Sequence, residues 1–338
     1  MCRSCVVPYR GVRAAAAMRC WKKTQKLEYQ CQYISSESPA LALSVVFTMA
    51  GQLGRLIKSR PTLWCRALCT QPLPIVVSAD ADVPAVKLLT LSSPSNLNAM
   101  TVSMGEAVVA AVDSLRDLPP SELKAVVLTG EGRAFSAGGD LKFLEARKVD
   151  TPTNNSKVMR QFYSRFITAL RTLPVPVVAC INGPAIGAGL CFAMGADVRV
   201  THDAAKLGFT FVGLGLHPGM GCTHTIAAAC GGQAASRLLL TGDVISGAEA
   251  QRIGLVAHSL HDADAASAEA VAIARRIAAQ SPLAVRATLL TLRSSSDERL
   301  NAALQREADA QAQSYASADY AEGLLALREK RPPAFEGR

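Results

Sequence analysis

Two glycine-bearing segments constrain this chain more than anything else in it: AFSAGGDLKFL at residues 134–144 and NGPAIGAGLCFAMGADVRV at 182–200. Each follows an apolar run of strand type, LKAVVLTG at 123–130 and VPVVACING at 175–183. A tight glycine turn after a sheet strand leaves backbone N–H groups free of side-chain cover. The loop donor falls at Gly139, and the helix donor at Ala188, where GPAIGAG opens a helix. A helix start also supplies a field that favours negative charge. Two such donors aimed at one oxygen form an oxyanion site, and a single donor of this kind contributes on the order of 3 kcal/mol to a transition state. Either segment alone is equally well read as a plain strand-to-helix turn. Two on successive strand exits point to a shared site.

The order of the remaining patterns is strand, helix, strand, helix. Runs 75–78 and 85–93 read as strands, 101–117 as a helix capped by Thr101 or Ser103, and 152–155 as polar linker. Helical spacing then runs through Val158, Phe162, Phe166 and Leu170. This predicts an α/β chain with a parallel-type sheet covered by helices. After Gly219 the sequence becomes mostly helical, with 281–293 and 297–317 read as two separate helices. Alanine-rich helices that a monomer does not fully bury point to self-association.

The formal charge of +9 is confined to the first 70 residues, which carry 11 Lys/Arg against Glu28 and Glu37; the rest carries 25 of each sign. A neutral body argues against a nucleic-acid surface. The same N-terminal segment holds six of the ten cysteines and both tryptophans. CRSC at 2–5 lacks a second close Cys/His pair, so a zinc site is not read there. Basic, acid-poor sequence of this kind fits an organellar transit segment, giving a mitochondrial expectation, with a cytoplasmic or other organellar location as the alternative. A start at Met49 would also leave a basic presequence. The apolar run at 40–51 is too short to span a bilayer, so no transmembrane segment is expected.

Dinucleotide, P-loop and G-x-S-x-G patterns are missing from the sequence, and no metal-ligand pattern is readable, so neither a cofactor nor a metal is expected. His217 is a candidate general base, read equally as a capping or surface histidine. Cys191 stands one turn into the helix opened at Ala188, a candidate thiolate or a small core residue. Cys222 carries the same pair of readings, and Cys180 reads as packing.

In order and spacing, LTLSSPSNLNAM, VVLTGEGRAFSAGGDLKFL, PVVACINGPAIGAGLCFAMGADVRV, AKLGFTFVGLGLHPGMG and LLLTGDVISGAEAQRIGLV resemble the enoyl-CoA hydratase/isomerase, or crotonase, family over roughly residues 84–335. The resemblance implies a spiral of strand-strand-helix turns with a helical C-terminal oligomerisation region. It divides the chain into an N-terminal extension at 1–72, a core at 73–260 and a helical part at 261–338. It implies an acyl-CoA thioester ligand, its carbonyl held by Gly139 and Ala188, and a homotrimer or hexamer. Coenzyme A enters only as part of that ligand. By position, Asn98, Ala99, Ala137, Asp140 and Lys142 fall on the coenzyme A stretch, with Lys330 and Phe335 reaching its nucleotide end from the tail. Hydratases of this family handle water with two glutamates. The matching positions here are Cys191 and Phe211, which become pocket residues, and Phe192 and Gly219 fill two alternative acid positions. Three readings follow: an acyl-CoA enzyme using another base, such as His217 or Glu131; an acyl-CoA binder without turnover; or a conventional hydratase or isomerase.

Overall fold

A computed structural model describes residues 74–338. The expectations for the N-terminal extension, its cysteines and its targeting character lie outside the described residues. The strands are β1 (Ile75–Ala79), β2 (Val86–Leu91), β3 (Ala125–Gly130), β4 (Val177–Ile181), β5 (Ala185–Ile186), β6 (Val198–His202), β7 (Lys206–Gly208), β8 (Val244–Ser246) and β9 (His258–Leu260). The helices are α1 (Val102–Arg116), α2 (Leu141–Lys148), α3 (Pro152–Tyr163), α4 (Ala169–Arg171), α5 (Ala188–Met194), α6 (Cys222–Thr241), α7 (Gly247–Arg252), α8 (Ala263–Ala278), α9 (Pro282–Tyr315) and α10 (Ala318–Glu329).

The main sheet runs β1-β2-β3-β4-β6-β9, parallel throughout except for β1, which pairs antiparallel with β2. A smaller sheet, β5-β7-β8, stands beside it. The central strands β3 and β4 are buried almost without interruption, which is why they read as unbroken apolar runs rather than alternating ones. One side of the sheet packs on α8, through Ala266, Ala270, Ile273 and Ala274 against Val127, Val178 and Val200. The other packs on a larger core that includes Met104, Val108 and Leu115 of α1, Phe162 and Phe166, and Leu190 and Phe192 of α5. This is the expected α/β architecture, a mostly parallel sheet covered by helices with a helical C-terminal region.

Two local expectations change. Residues 152–155 open a helix instead of forming linker: Thr151 caps α3 by accepting from Asn154 N at 3.2 Å, and Pro152 takes the first turn, where its missing N–H costs nothing. Residues 281–317 contain one 34-residue helix rather than two. The triple serine does not break it because Ser294 and Ser295 turn their hydroxyls back onto the carbonyls of Thr291 and Leu292, both at 3.0 Å. Between α3 and α4 the chain makes a π-helical turn at Ser164–Thr168.

Helix α9 is fixed to the sheet by an ion pair between buried Arg293 and largely covered Asp197. The Arg293 guanidinium meets Asp197 two-pronged, at 3.0 and 2.7 Å, and also donates to the carbonyls of Arg171 (3.0 Å) and Leu173 (2.7 Å). Asp197 in turn accepts from Val177 N, at the start of β4, at 2.8 Å. Removing one member of a buried pair strands the other. Asp197→Ala should therefore lower unfolding free energy by about 3 kcal/mol in urea titration; a loss below about 1 kcal/mol, the level of a surface pair, would contradict this account.

Candidate functional site

The site is assembled where the loop after β3 runs beside the exit from β4. Phe135 N and Ser136 N both donate to Pro184 O, at 3.1 and 3.2 Å, and Ile186 N donates to Ser136 O at 3.0 Å. This lays 135–138 alongside 184–187 like one more pair of strands. Gly138 has φ +96, and a Cβ there would sit 2.6 Å from Ile186 O and 3.7 Å from Ala188 N. A Cβ on Gly189 would lie 2.6 Å from the Ser136 Cβ. Glycine is thus required on both sides of the seam, and the seam brings the Gly138–Gly139 turn against the first residue of α5.

Gly139 is held by its neighbours: Met100 N donates to Gly138 O at 2.7 Å and Asp140 N to Met100 O at 3.3 Å. Among the described residues the N–H groups of Gly139 and Ala188 donate to no protein acceptor, whereas Gly187 N between the segments is used, on Gly208 O at 2.8 Å. Ala188 is the first residue of α5, where N–H groups have no intrahelical partner. The two donors expected from the sequence therefore stand on adjoining segments with their hydrogens unspent.

The positions read as coenzyme A contacts divide by exposure. Asn98 is wholly buried, and its amide is fully committed: Oδ1 accepts from Ser93 N (2.9 Å), and Nδ2 donates to Glu131 O (3.0 Å) and Ala134 O (2.9 Å). Its side chain is a staple for the loop, and is not free to touch a ligand. Its carbonyl accepts from Ser136 Oγ at 2.8 Å, and Ser136 Oγ accepts from Gly138 N at 3.2 Å. Ala99 is buried beside it, while Ala137 and Lys142 are exposed on the outer side of the loop. Asp140 caps α2, accepting from Phe143 N at 3.0 Å. Lys330 and Phe335 are exposed at the end of α10, where the tail folds back on that helix: Ala334 N donates to Glu322 at 2.8 Å and Glu336 N to Asp319 at 2.7 Å.

The proton-handling positions are apolar or poorly ionised. Cys191 is fully buried, and Phe211 is 8% exposed. Cys222 lies against Cys191, and burial pushes its thiol well above the usual range. Phe192 meets Phe166 edge-on at 5.4 Å. Gly219 has no room for a carboxylate: a Cβ there would lie 2.4 Å from the Tyr163 hydroxyl. Glu131 is exposed, and its carboxylate accepts from Ser92 Oγ at the rim of the loop. His217 is half-buried, with Nδ1 2.6 Å from Pro218 O. A carbonyl can only accept, so Nδ1 carries the hydrogen of this contact, and in the neutral imidazole the lone pair is then on Nε2.

Three residues not singled out from the sequence organise the segment around His217. Tyr163 donates to Gln311 Oε1 at 2.8 Å, and burial holds its phenol neutral by raising its pKa well above the usual 10.0. Gln311 Nε2 donates to His217 O at 2.9 Å. Glu307, 1% exposed, accepts from Gly221 N at 2.5 Å and Thr223 N at 2.9 Å at the start of α6. Burial raises its pKa, and those hydrogen bonds oppose the rise. Glu307 and Gln311 stand four apart on the stripe of α9 that carries Leu300, Leu304, Ala308 and Ala312, so polar residues on an apolar face were the readable signal.

The α/β fold with a helical C-terminal region carries, at adjoining glycine turns, two backbone N–H groups without a protein acceptor. The enoyl-CoA hydratase/isomerase family profile matches residues 83–338, and the chain belongs to that family. It is 32% identical over 259 residues to the mitochondrial methylglutaconyl-CoA hydratase of Mus musculus, covering 75% of this chain and 80% of that protein. It is 32% identical to the 2,3-dehydroadipyl-CoA hydratase of Escherichia coli K12, over 75% of this chain and 96% of the relative. A crystal structure of an enoyl-CoA hydratase from Mycobacterium avium subsp. paratuberculosis K-10 superposes with a TM-score of 0.68 at 29% identity, covering 78% of this chain and all of that one.

Gly138→Ala places a methyl group into Ile186 O at a left-handed φ. It should reduce acyl-CoA affinity at least tenfold with the fold retained, read by calorimetry alongside circular dichroism; unchanged affinity would show that this seam does not shape the site.

Proposed function

We propose that this chain binds an acyl-CoA thioester with its carbonyl oxygen on the N–H groups of Gly139 and Ala188, and stabilises negative charge that develops there. The observation that carries this reading is the pair of unspent donors on adjoining segments. Ala137 and Lys142, exposed beside the loop, are positioned to meet the coenzyme A part, with Lys142 as a phosphate partner. Lys330 and Phe335 take the nucleotide end if a neighbouring copy brings the tail to it.

Two-carboxylate water addition is not the chemistry we assign. Cys191 and Phe211 replace the two acids, and Gly219 has no space for a third. His217 is the base we assign, because its Nε2 lone pair is free and its backbone is fixed from both sides by Ser314 and Gln311. The second reading, binding without turnover, is favoured by the burial of Cys191 and Phe211 against apolar neighbours. A panel of acyl-CoA thioesters with product detection separates them. Binding in calorimetry is expected together with crotonyl-CoA hydration far below the ordinary range of roughly 1–1000 s⁻¹. Isomerase-type turnover that His217→Ala lowers at least a hundredfold supports the base, while turnover untouched by that change removes it. Hydration at an ordinary rate would overturn the assignment of Cys191 and Phe211.

Self-association as a homotrimer or hexamer is supported by Leu283, Leu290 and Leu292, which stand 81%, 70% and 67% exposed on α9. Light scattering should give three or six times the chain mass, and a monomer would contradict it. The basic, acid-poor N-terminal segment and the mitochondrial mammalian relatives support a mitochondrial location. No helix among the described residues is long and apolar enough to cross a membrane.

A further inference from the structure

The peptide that joins His217 to Pro218 is held by side chains of α9. His217 N donates to Ser314 Oγ at 3.1 Å, and His217 O accepts from Gln311 Nε2 at 2.9 Å. The proline ring sets its own φ at roughly −65°. Glu307 pins the far end of the turn through Gly221 N and Thr223 N, which restricts the remaining dihedral, ψ of Pro218. The position of Pro218 O relative to the imidazole is therefore set from α9, and that oxygen is the partner of His217 Nδ1 at 2.6 Å. Gln311 is 3% exposed, and its amide has one workable orientation. Its Oε1 accepts from the Tyr163 hydroxyl at 2.8 Å, and the Tyr315 hydroxyl stands 3.3 Å from the same atom. Burial raises the pKa of both phenols, so both keep their hydrogens. Turning the amide over would set Oε1 against His217 O, two acceptors with no hydrogen between them. Gly219 leaves the room for this arrangement: a Cβ there would lie 2.4 Å from the Tyr163 hydroxyl and 2.8 Å from Gln311 Nε2.

We propose that Gln311 is a positioning residue: its side-chain amide, oriented by Tyr163, fixes the His217–Pro218 peptide and so selects the tautomer of His217 that carries its hydrogen on Nδ1 and its lone pair on Nε2. This rests on the reading of His217 as the base and adds how that base is kept ready. A neutral imidazole takes up a proton only at the nitrogen that bears the lone pair. Once the peptide is free to rotate, Pro218 O no longer selects Nδ1, both tautomers become accessible, and the ring loses its fixed place. Gln311 and Tyr163 act on the imidazole through the backbone alone. The role demands a donor and an acceptor on one side chain. Glutamate keeps the acceptor and loses the donor, and methionine keeps the length and loses both.

Nitrogen-15 NMR of the full chain with ring-labelled histidine tests this, recorded at a pH of about 8, above the ordinary imidazole pKa of about 6.5. The His217 signal is identified by its loss in His217→Ala. The wild type should show His217 with its hydrogen on Nδ1. Gln311→Met should move it to a mixture of the two tautomers with the circular dichroism unchanged, and Tyr163→Phe should move it the same way by a smaller amount. A wild-type hydrogen on Nε2, or a folded Gln311→Met that keeps the wild-type tautomer, overturns the proposal. Should Gln311→Met fail to fold, Tyr163→Phe decides, and an unmoved tautomer there overturns it. Where an acyl-CoA thioester is turned over, Gln311→Met should lower kcat by at least roughly tenfold and leave calorimetric affinity within about twofold; a loss confined to affinity contradicts positioning. Turnover untouched by His217→Ala defeats the base alone, because the tautomer of His217 is read without turnover.

Discussion

The site depends on one relay of hydrogen bonds: the buried Asn98 amide, its own carbonyl, the Ser136 hydroxyl and Gly138 N. The loop of ten residues after β3 pairs with neighbouring backbone only through isolated bridges, at Ser136 and Gly139. Asn98 supplies what the loop lacks, taking up the carbonyls of Glu131 and Ala134 while a left-handed backbone at Leu97 and Asn98 turns the chain into reach. With those groups satisfied, the loop lies against the exit from β4 through direct backbone contacts, and Gly139 N–H is held in place. Donors fixed before a ligand arrives need no reorganisation, and this makes them worth more than the same groups in solvent.

The neighbourhood of those donors offers little proton chemistry. Ionisable groups facing α5 from below are a phenol and a thiol that burial keeps protonated, Tyr163 and Cys222. On the function proposed above, the carbonyl oxygen is held at this point while the base stands on another segment, at His217. That proposal separates charge stabilisation from proton transfer, so the first does not depend on an acid at position 191 or 211.

What was legible in the sequence follows from range. The strands β3 and β4, the glycine turns and the donors at Gly139 and Ala188 are local patterns, set by burial of whole runs and by backbone that only glycine adopts. The continuity of α9 was misread because serines suggest a break, and only the structure shows their hydroxyls turned back on the helix. Tyr163, Glu307 and Gln311 were not singled out because their partners lie far along the chain. Tyr163 lies one residue off the Val158, Phe162, Phe166, Leu170 spacing and drew no reading of its own. Asn98 was assigned to ligand contact by position, whereas its burial shows that its partners are all internal.

Helix α9 joins distant parts of the molecule as a single strut. Its Arg293 is anchored in the floor of the sheet, its Glu307 and Gln311 hold the turn before α6, and its exposed leucines face outward near the other end. A continuous helix of 34 residues has no hinge at which strain can be dissipated. Whatever fixes its axis also sets the register of the segment carrying His217, so the rigidity of the outer surface and the placement of that imidazole are one mechanical property.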